Sequence, residues 1–415
     1  MTGTVSPGLA PNAPAGASMS FSGRGREFLR LLLTGSLLQI PTFGFYRFWL
    51  VTRLRRHLWA NTRLAGETFE YTGTAKELLI GFLIALAILT PLYLGYFILG
   101  IVLEEQKALA SIPLVLVMYV LMQFAAYRAR RYRATRTTFR GIRFWMTGSG
   151  WAYAMRAILW DIATLLTLGL ALPWAMASLE RYRMRHTWFG SIKGDFVGTG
   201  WDLFKRGWWV WALAMAIWFG PALIFFSIKG LMPEGGLDGL EEIAKENPTL
   251  LQIVGPILFT SPVVLVPLAM SIFTRWQMEG LRFGEVVVSS RLTKGAFYGT
   301  FIKLIFSSIG CVLVFTAVIG AGAYFFLDKL MALQAGELNW ETGSVIVVAA
   351  LAYLALLLGI GIIQRYFMGR GLWAVVVNSL AVSNFHAVDS AVAAGQSSGV
   401  VGEGLADALD FEVGI

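Results

Sequence analysis

YRARRYRATRTTFRGIRFWMTGSG (Tyr127–Gly150), WAYAMRAILWDIATLLTLGLALPW (Trp151–Trp174) and ERYRMRH (Glu180–His186) decide the reading of this chain. They are a basic, glycine-punctuated segment, an apolar run holding one acid, and a second basic burst. Loops rich in lysine and arginine collect on one face of a membrane. An apolar run with arginines at both ends therefore has to turn back before it reaches the far face, because a single crossing would strand one basic burst on the wrong side.

The rest of the composition agrees with a membrane setting. Of 415 residues, 56% are hydrophobic and 14% charged, against about 45–50% and about 25% in soluble domains, and the mean hydropathy is +0.64. The net charge of +9 sits in short segments between apolar runs, which points to the bilayer and its anionic headgroups as partners rather than to nucleic acid. The single cysteine, Cys311, lies in an apolar run and can form neither an internal disulfide nor a thiolate metal cluster. Residues 1–20 read as a disordered tail without a secretory signal, 21–386 as a membrane domain built from repeats, and 387–415 as an acidic, glycine-rich tail.

Six runs have the length of a full crossing: Leu78–Leu103, Ile112–Tyr127, Trp208–Ile228, Leu250–Phe273, Ala296–Leu327 and Gly343–Ile363. Two others, Leu29–Val51 and Trp151–Leu179, are broken by glycine and proline, at Pro41-Thr42-Phe43-Gly44 and at Thr167-Leu168-Gly169 with Pro173. With those two as re-entrant or interfacial helical hairpins, every basic segment and both termini lie on the cytoplasmic side. The acidic stretches carrying Glu234, Asp238, Glu241, Glu242 and Glu246, or Asp328, Glu337 and Glu341, then lie outside. The fold class expected is an all-α polytopic membrane protein with about six transmembrane helices, two helical hairpins and short basic β-hairpin-like cytoplasmic segments, the clearest of these around Ala65-Gly66.

An internal repeat is visible. Each helix that returns to the cytoplasmic side ends in arginine with aromatic or long residues: Arg53-Leu54-Arg55-Arg56, Arg128-Ala129-Arg130-Arg131-Tyr132, Arg181-Tyr182-Arg183-Met184, Arg275-Trp276-Gln277-Met278 and Arg365-Tyr366-Phe367-Met368. Further motifs are Phe21-x-Gly23 with Glu27-Phe28, the Thr42-Phe43-Gly44-Phe45-Tyr46 turn with Trp49, Asn61-Thr62 with Gly66, Phe69-x-Tyr71-x-Gly73, and Thr167-Leu168-Gly169 with Pro173-Trp174. Together these resemble the YjgN family of bacterial inner-membrane proteins. The resemblance covers most of the chain beyond the tail; it implies a bacterial inner membrane location and supplies no activity.

Asp161 is the sharpest candidate for chemistry. A carboxylate inside an apolar run is costly in lipid and marks an ion, proton or substrate path, or else a structural pair with Arg156 or a Trp indole. Gly169, Pro173, Gly44 and Pro41 mark the two turns, the candidate walls of a transport or gating site, since irregular backbone at membrane depth is covered by protein or lines a cavity. Arg128, Arg130, Arg131 and Arg133 are candidates for anionic-lipid contact, while Arg47 and Lys303 sit near run ends, where long cations snorkel. His57, His186 and His386 are scattered, so no metal site is expected, and neither a cofactor nor an enzymatic motif of the nucleophile-elbow, phosphate-loop or zinc-protease type is present. The expected function is that of a transporter or channel-like protein for a small solute or ion with Asp161 as coupling acid; the alternative is a non-transporting scaffold or lipid-interacting protein.

Overall fold

The computed structural model describes residues 16–102, 107–229, 248–334 and 339–395, with 336, 399, 404–405 and 408–409. The acidic residues Glu104, Glu105, Glu234, Asp238, Glu241, Glu242, Glu246 and Glu337 and most of the acidic C-terminal tail lie outside these. In order, the elements are β1 (Ala17–Phe21), α1 (Gly25–Gln39), α2 (Arg47–Ala60), β2 (Thr62–Leu64), β3 (Glu67–Tyr71), α3 (Ala75–Val102), α4 (Lys107–Thr135), β4 (Thr137–Phe139) and β5 (Ile142–Met146). Then come α5 (Gly150–Leu166), α6 (Leu172–Arg185), β6 (Thr187–Phe189), β7 (Ile192–Phe196), α7 (Gly200–Lys229), α8 (Pro248–Gly280), β8 (Leu281–Phe283) and β9 (Val286–Ser290). Last are α9 (Lys294–Phe325), α10 (Leu327–Gln334), α11 (Trp340–Gln364), a π-helical segment (Arg365–Gly371), α12 (Leu372–Asn378) and β10 (Leu380–Ser383).

The all-α expectation is therefore corrected: the chain carries ten short antiparallel strands of a closed β-barrel beside its helices. Strands of three to five residues are too short to show a period-2 pattern, and four of the ten are only three residues long. Hydrophobic patterning consequently exposed the long helices and missed most of the sheet. Among the described residues five helices are long and apolar enough to cross a membrane, over 75–102, 112–135, 252–280, 294–325 and 342–378. The sixth expected crossing falls on α7, which is not one of these five.

The chain divides into two compact units. In the unit made of 18–145, 298–379 and 393 onward, β1 pairs with β2, β2 with β3, β3 with β4 and β4 with β5. In the unit centred on 146–297 and 380–392, the same ladder runs from β6 to β10. Strands within a β-hairpin are joined by two-residue turns. Ala65-Gly66 and Arg140-Gly141 take positive φ at both positions, as a type I′ turn requires, whereas Gly190 and Gly284 supply it at the first position.

Helical hairpins alternate with these turns, and each returns to the place it left. Phe21 at the start of the α1–α2 excursion is paired with Thr62 at its end, Tyr71 with Thr137 around α3–α4, Phe196 with Leu281 around α7–α8, and Ser290 with Leu380 around α9–α12. For α5–α6 the Thr147 N–H donates to His186 O at 2.8 Å and the Tyr182 hydroxyl to Ser149 O at 3.0 Å. The run that opened the sequence reading thus turns back on itself.

The two short hairpins turn in the same way. Phe43 and Leu168 take left-handed φ of 48° and 50°, followed by Gly44 at 84° and Gly169 at 87°. Gly44 N–H donates to Gln39 O and Gly169 N–H to Thr164 O at 2.8 and 2.7 Å, while Phe43 and Leu168 N–H donate to Ile40 and Leu165 O; this is the Schellman pattern of a helix end. Thr42 and Thr167 then receive the Tyr46 and Ala171 N–H on their hydroxyls. The prolines do not match: Pro41 lies ahead of its Thr-x-Gly, and Pro173 stands at the start of α6, where its missing N–H costs nothing.

Three of the five passages from strand to helix share one junction. The ring at the strand's last residue, Phe21, Tyr71 or Phe196, lies over a glycine two positions on, so that a Cβ on Gly73 would stand 2.6 Å from the Tyr71 ring and one on Gly198 2.6 Å from the Phe196 ring; Met146 and Ser290 end the other two strands. Four of the five helices are capped by a threonine or serine: Thr74 accepts Glu77 N–H, Ser149 Ala152 N–H, Thr199 Asp202 N–H and Thr293 Ala296 N–H, while α1 starts after Arg24 without a side-chain cap. Because Phe196 is buried and Trp276 also stands 3.1 Å from that Cβ position, Gly198→Ala should destabilise by about 1–3 kcal/mol through overpacking. Thermal unfolding in detergent should show the loss there, and Gly141→Ala, with open space around it, should lose only its turn preference.

Candidate functional site

Arginines on the returning helices close the junctions. Arg56 donates to Gly73 O at 2.9 Å, Arg181 to Gly198 O at 3.1 Å and Arg370 to Gly23 O at 2.7 Å. The first two pairs share one spacing, seventeen residues, and one register, since Arg56 stands six residues ahead of Thr62 as Arg181 does ahead of Thr187. Arg131 occupies the same position ahead of Thr137. The repeat of arginines seen in the sequence is thus, at these positions, a repeat of helix-to-strand hydrogen bonds.

A second set of charges locks the bases of the long hairpins. Arg136 beside β4 grips Glu77 on α3 through two nitrogens, at 3.1 and 2.6 Å, and Tyr132 donates to the same carboxylate at 2.9 Å. In the other unit Arg206 on α7 pairs with Glu279 on α8 at 2.6 Å, and Arg275 with Glu279 at 2.8 Å. Outgoing and returning helices are joined in each case by a bidentate or shared carboxylate, the stronger kind of charge-assisted bond.

At the base of α5–α6 lies a buried polar cluster. Glu180 is fully buried; its Oε1 accepts from Gln277 Nε2 on α8 at 2.6 Å and lies 3.3 Å from an Arg183 nitrogen. Arg183 lies over the Tyr153 ring at 5.5 Å and Arg156 over the Tyr182 ring at 4.6 Å, while Tyr182 exchanges hydrogen bonds with the backbone of Ser149. The position 125 residues earlier, in the other copy of the short hairpin, is Arg55, also buried and donating to the Tyr71 hydroxyl at 3.2 Å. Two equivalent sites therefore bury opposite charges.

The residues singled out by sequence fall as follows. Asp161 is half-buried on α5, and Arg156 on the same helix is exposed and stacked on Tyr182 of α6. Gly169 forms the turn above, where Trp211 of α7 donates its indole N–H to Leu168 O at 2.9 Å. Pro173 is half-buried at the head of α6, Pro41 is exposed and Gly44 carries its turn's left-handed φ; these last two belong to the other unit. Arg128, Arg130, Arg131 and Arg133 are all half-buried along α4, and Arg47 lies over the Phe82 ring at 4.6 Å. Among the described residues no group of three or more His, Cys, Asp and Glu side chains is placed to hold a metal ion. Glu180 was hidden from sequence reasoning because it sits in an arginine-rich burst, and its partner Gln277 is 97 residues away.

Another cluster joins α1, α2 and the π-helical segment. Phe28, Leu32, Leu50, Leu54, Leu58, Trp59 and Tyr71 pack together with Tyr366 and Trp373 against them, and His57 stands 5.6 Å from the Phe28 ring. Burial pushes the His57 imidazole below its ordinary 6.5, Glu27 opposes and Arg370 adds to the fall.

Comparison with known proteins fits this architecture. The family of bacterial proteins of unknown function called DUF898 matches residues 17–266 and 249–405. Inner membrane protein YjgN of Escherichia coli O157:H7 is 28% identical over 127 residues, 31% of this chain and 30% of its own length, and the strain K12 protein matches equally. YjgN of Salmonella typhimurium strain LT2 is 24% identical over 143 residues, 34% of this chain and 33% of its own. The matched part spans about a third of the length of these curated relatives. No solved structure matches.

Two outcomes test the site. Glu180→Ala leaves Arg183 and Gln277 facing a buried gap and should cost about 3–5 kcal/mol, the usual loss on removing one partner of a buried pair; Glu180→Gln should cost clearly less, both read from thermal unfolding. An imidazole with a lowered folded pKa takes up a proton on unfolding, so the His57 contribution is present above pH 6.5 and is lost as pH falls below it; His57→Phe should flatten that slope in pH-dependent melting curves. With the junctions, hairpins and matched residues in place, this chain belongs to the DUF898 family of bacterial membrane proteins, the YjgN family.

Proposed function

We propose that the chain is a non-transporting membrane scaffold whose sheet-side face, turned to the cytoplasm together with both termini, holds anionic phospholipid headgroups. The observation that carries this reading is a set of cations backed by exposed tryptophans where the long helices leave the strands. Lys205 lies 5.5 Å from the Trp201 ring and Lys294 5.1 Å from the Trp209 ring, with Trp201 and Trp209 exposed at 53% and 37%. Tryptophans and lysines at this level are the marks of a membrane interface, and a cation there attracts anionic headgroups. Arg56, Arg181 and Arg370 by contrast are engaged with backbone carbonyls, so Lys205 and Lys294 join the half-buried Arg128, Arg130, Arg131 and Arg133 of α4 as the residues proposed for headgroup contact.

The helices support the same reading. In the most apolar stretches over 294–325 and 342–378 no residue is buried, as expected of helices that face acyl chains. The inner membrane of the YjgN relatives is the bilayer concerned. A second reading, transport of a small solute or ion, draws support from the half-buried Asp161 on α5 and from the three prolines Pro256, Pro262 and Pro267 inside α8.

Each lysine near an anionic surface contributes about 1 kcal/mol, on the order of fivefold in binding. Lys205→Gln with Lys294→Gln should therefore weaken retention of phosphatidylglycerol by roughly twentyfold in native mass spectrometry from mixed nanodiscs, with phosphatidylethanolamine retention unchanged. Equal retention by the double variant would remove the headgroup reading. If Asp161→Asn abolished a proton-coupled uptake in vesicles that the parent chain performs, the transport reading would replace it.

A further inference from the structure

The two short hairpins end in bare apolar surface. At the α1–α2 turn Phe43 is 92% exposed, and at the α5–α6 turn Leu165 and Leu166 are 76% and 78% exposed. We infer that both hairpins insert into the acyl chains of the sheet-side leaflet alone, as a wedge that widens one leaflet while the long helices span both. The inference rests on embedding of the long helices in a bilayer and is independent of headgroup charge.

The geometry sets the depth. In the first unit α1 and α3 start from equivalent junctions, four residues after Phe21 and after Tyr71, and the strands they leave belong to one hydrogen-bonded ladder. Helix α3 has 28 residues and α1 has 15, lengths of about 42 and about 22 Å at 1.5 Å per residue. The tip end of α2 is pinned near the start of α3: Phe48 packs at a tilt against Phe82 with ring centres 5.4 Å apart, and Arg47 lies over the same ring. Phe82 is seven residues into α3, only about 10 Å along its axis.

The second unit gives the same measure. The α5–α6 turn is held by Trp211 through Leu168 O, and Trp211 is eleven residues into the thirty of α7, about 16 Å along about 45 Å. More than half of each long helix therefore continues past the tip of its short neighbour. Against about 30 Å of hydrocarbon, these depths of about 10 and about 16 Å put the short tips no deeper than its middle.

What occupies the tips follows from their surroundings. The large exposed residues at both turns are phenylalanine, leucine and isoleucine, and the exposed Thr167 and the half-buried Thr42 turn their hydroxyls to the turn backbone, which is satisfied internally by these and the Schellman bonds. A turn with its own polar groups closed in this way can enter hydrocarbon without unsatisfied backbone. Arg47, over the Phe82 ring, has the reach to return its charge to the interface.

Depth-resolved quenching tests the wedge. In the full chain carrying Cys311→Ser, single cysteines at Phe43→Cys and Leu165→Cys would be labelled with an environment-sensitive fluorophore and reconstituted into phosphatidylethanolamine and phosphatidylglycerol vesicles. Quenchers would be placed on the headgroup, near the top of the acyl chain or near its end, with Ile309→Cys at the middle of α9 as the reference for mid-bilayer depth. The greatest loss of fluorescence should come from the quencher near the top of the chain at both tips, and from the one near the chain end at Ile309. Leu38→Cys and Leu166→Cys serve should either tip variant fail to fold. Greatest quenching from the headgroup, from the chain end, or from none of the three would overturn the inference.

Discussion

Three of the five passages from strand to helix depend on one junction, in which a ring at the end of a strand covers a glycine whose carbonyl accepts an arginine from a returning helix. The glycine is required because a side chain there would strike the ring. The arginine is required because the carbonyl has left the ladder and has not yet entered the helix, and a polar backbone group near lipid needs a partner. Arg56 with Gly73 and Arg181 with Gly198 repeat the solution at the same spacing. Arg370 with Gly23 reaches it from a π-helical segment far along the chain.

From that junction the functional features follow. Because each helix pair is tied back to the strands it left, basic residues gather where strands and helices meet. Some arginines are consumed as fasteners, as in Arg136 with Glu77 and Arg206 with Glu279. Short and long excursions leave one kind of ladder, with 15 residues in α1 and 28 in α3. The buried Glu180 and its counterpart Arg55 show that the two short hairpins, alike in backbone, have diverged in the charge at their base.

Much of this was legible in the sequence, and the rest failed for identifiable reasons. The reversal of Trp151–Leu179 could be read because arginines flank it and Thr167-Leu168-Gly169 breaks it. Five of the six expected crossings coincide with long apolar helices for the ordinary reason that hydrophobic length is a strong signal. The sheet could not be read, because strands such as Thr187–Phe189 are three residues long and their turns include Arg140 in a conformation that favours glycine. Nor could the role of Arg56 or Arg181, since a helix arginine bound to a carbonyl seventeen residues on looks, in one dimension, the same as one facing lipid.

The central claim is that every helical hairpin comes back to the side it left, and one measurement tests it directly. Single cysteines on the Cys311→Ser chain at the exposed β-turn residues Ala65, Ser191 and Glu285 can be probed in oriented inner-membrane vesicles with a membrane-impermeant thiol reagent. All three should react from one and the same side, the cytoplasmic one. Labelling of any one of them from the opposite side would mean that an odd number of crossings separates the turns, and the junction-based account of the fold would be wrong.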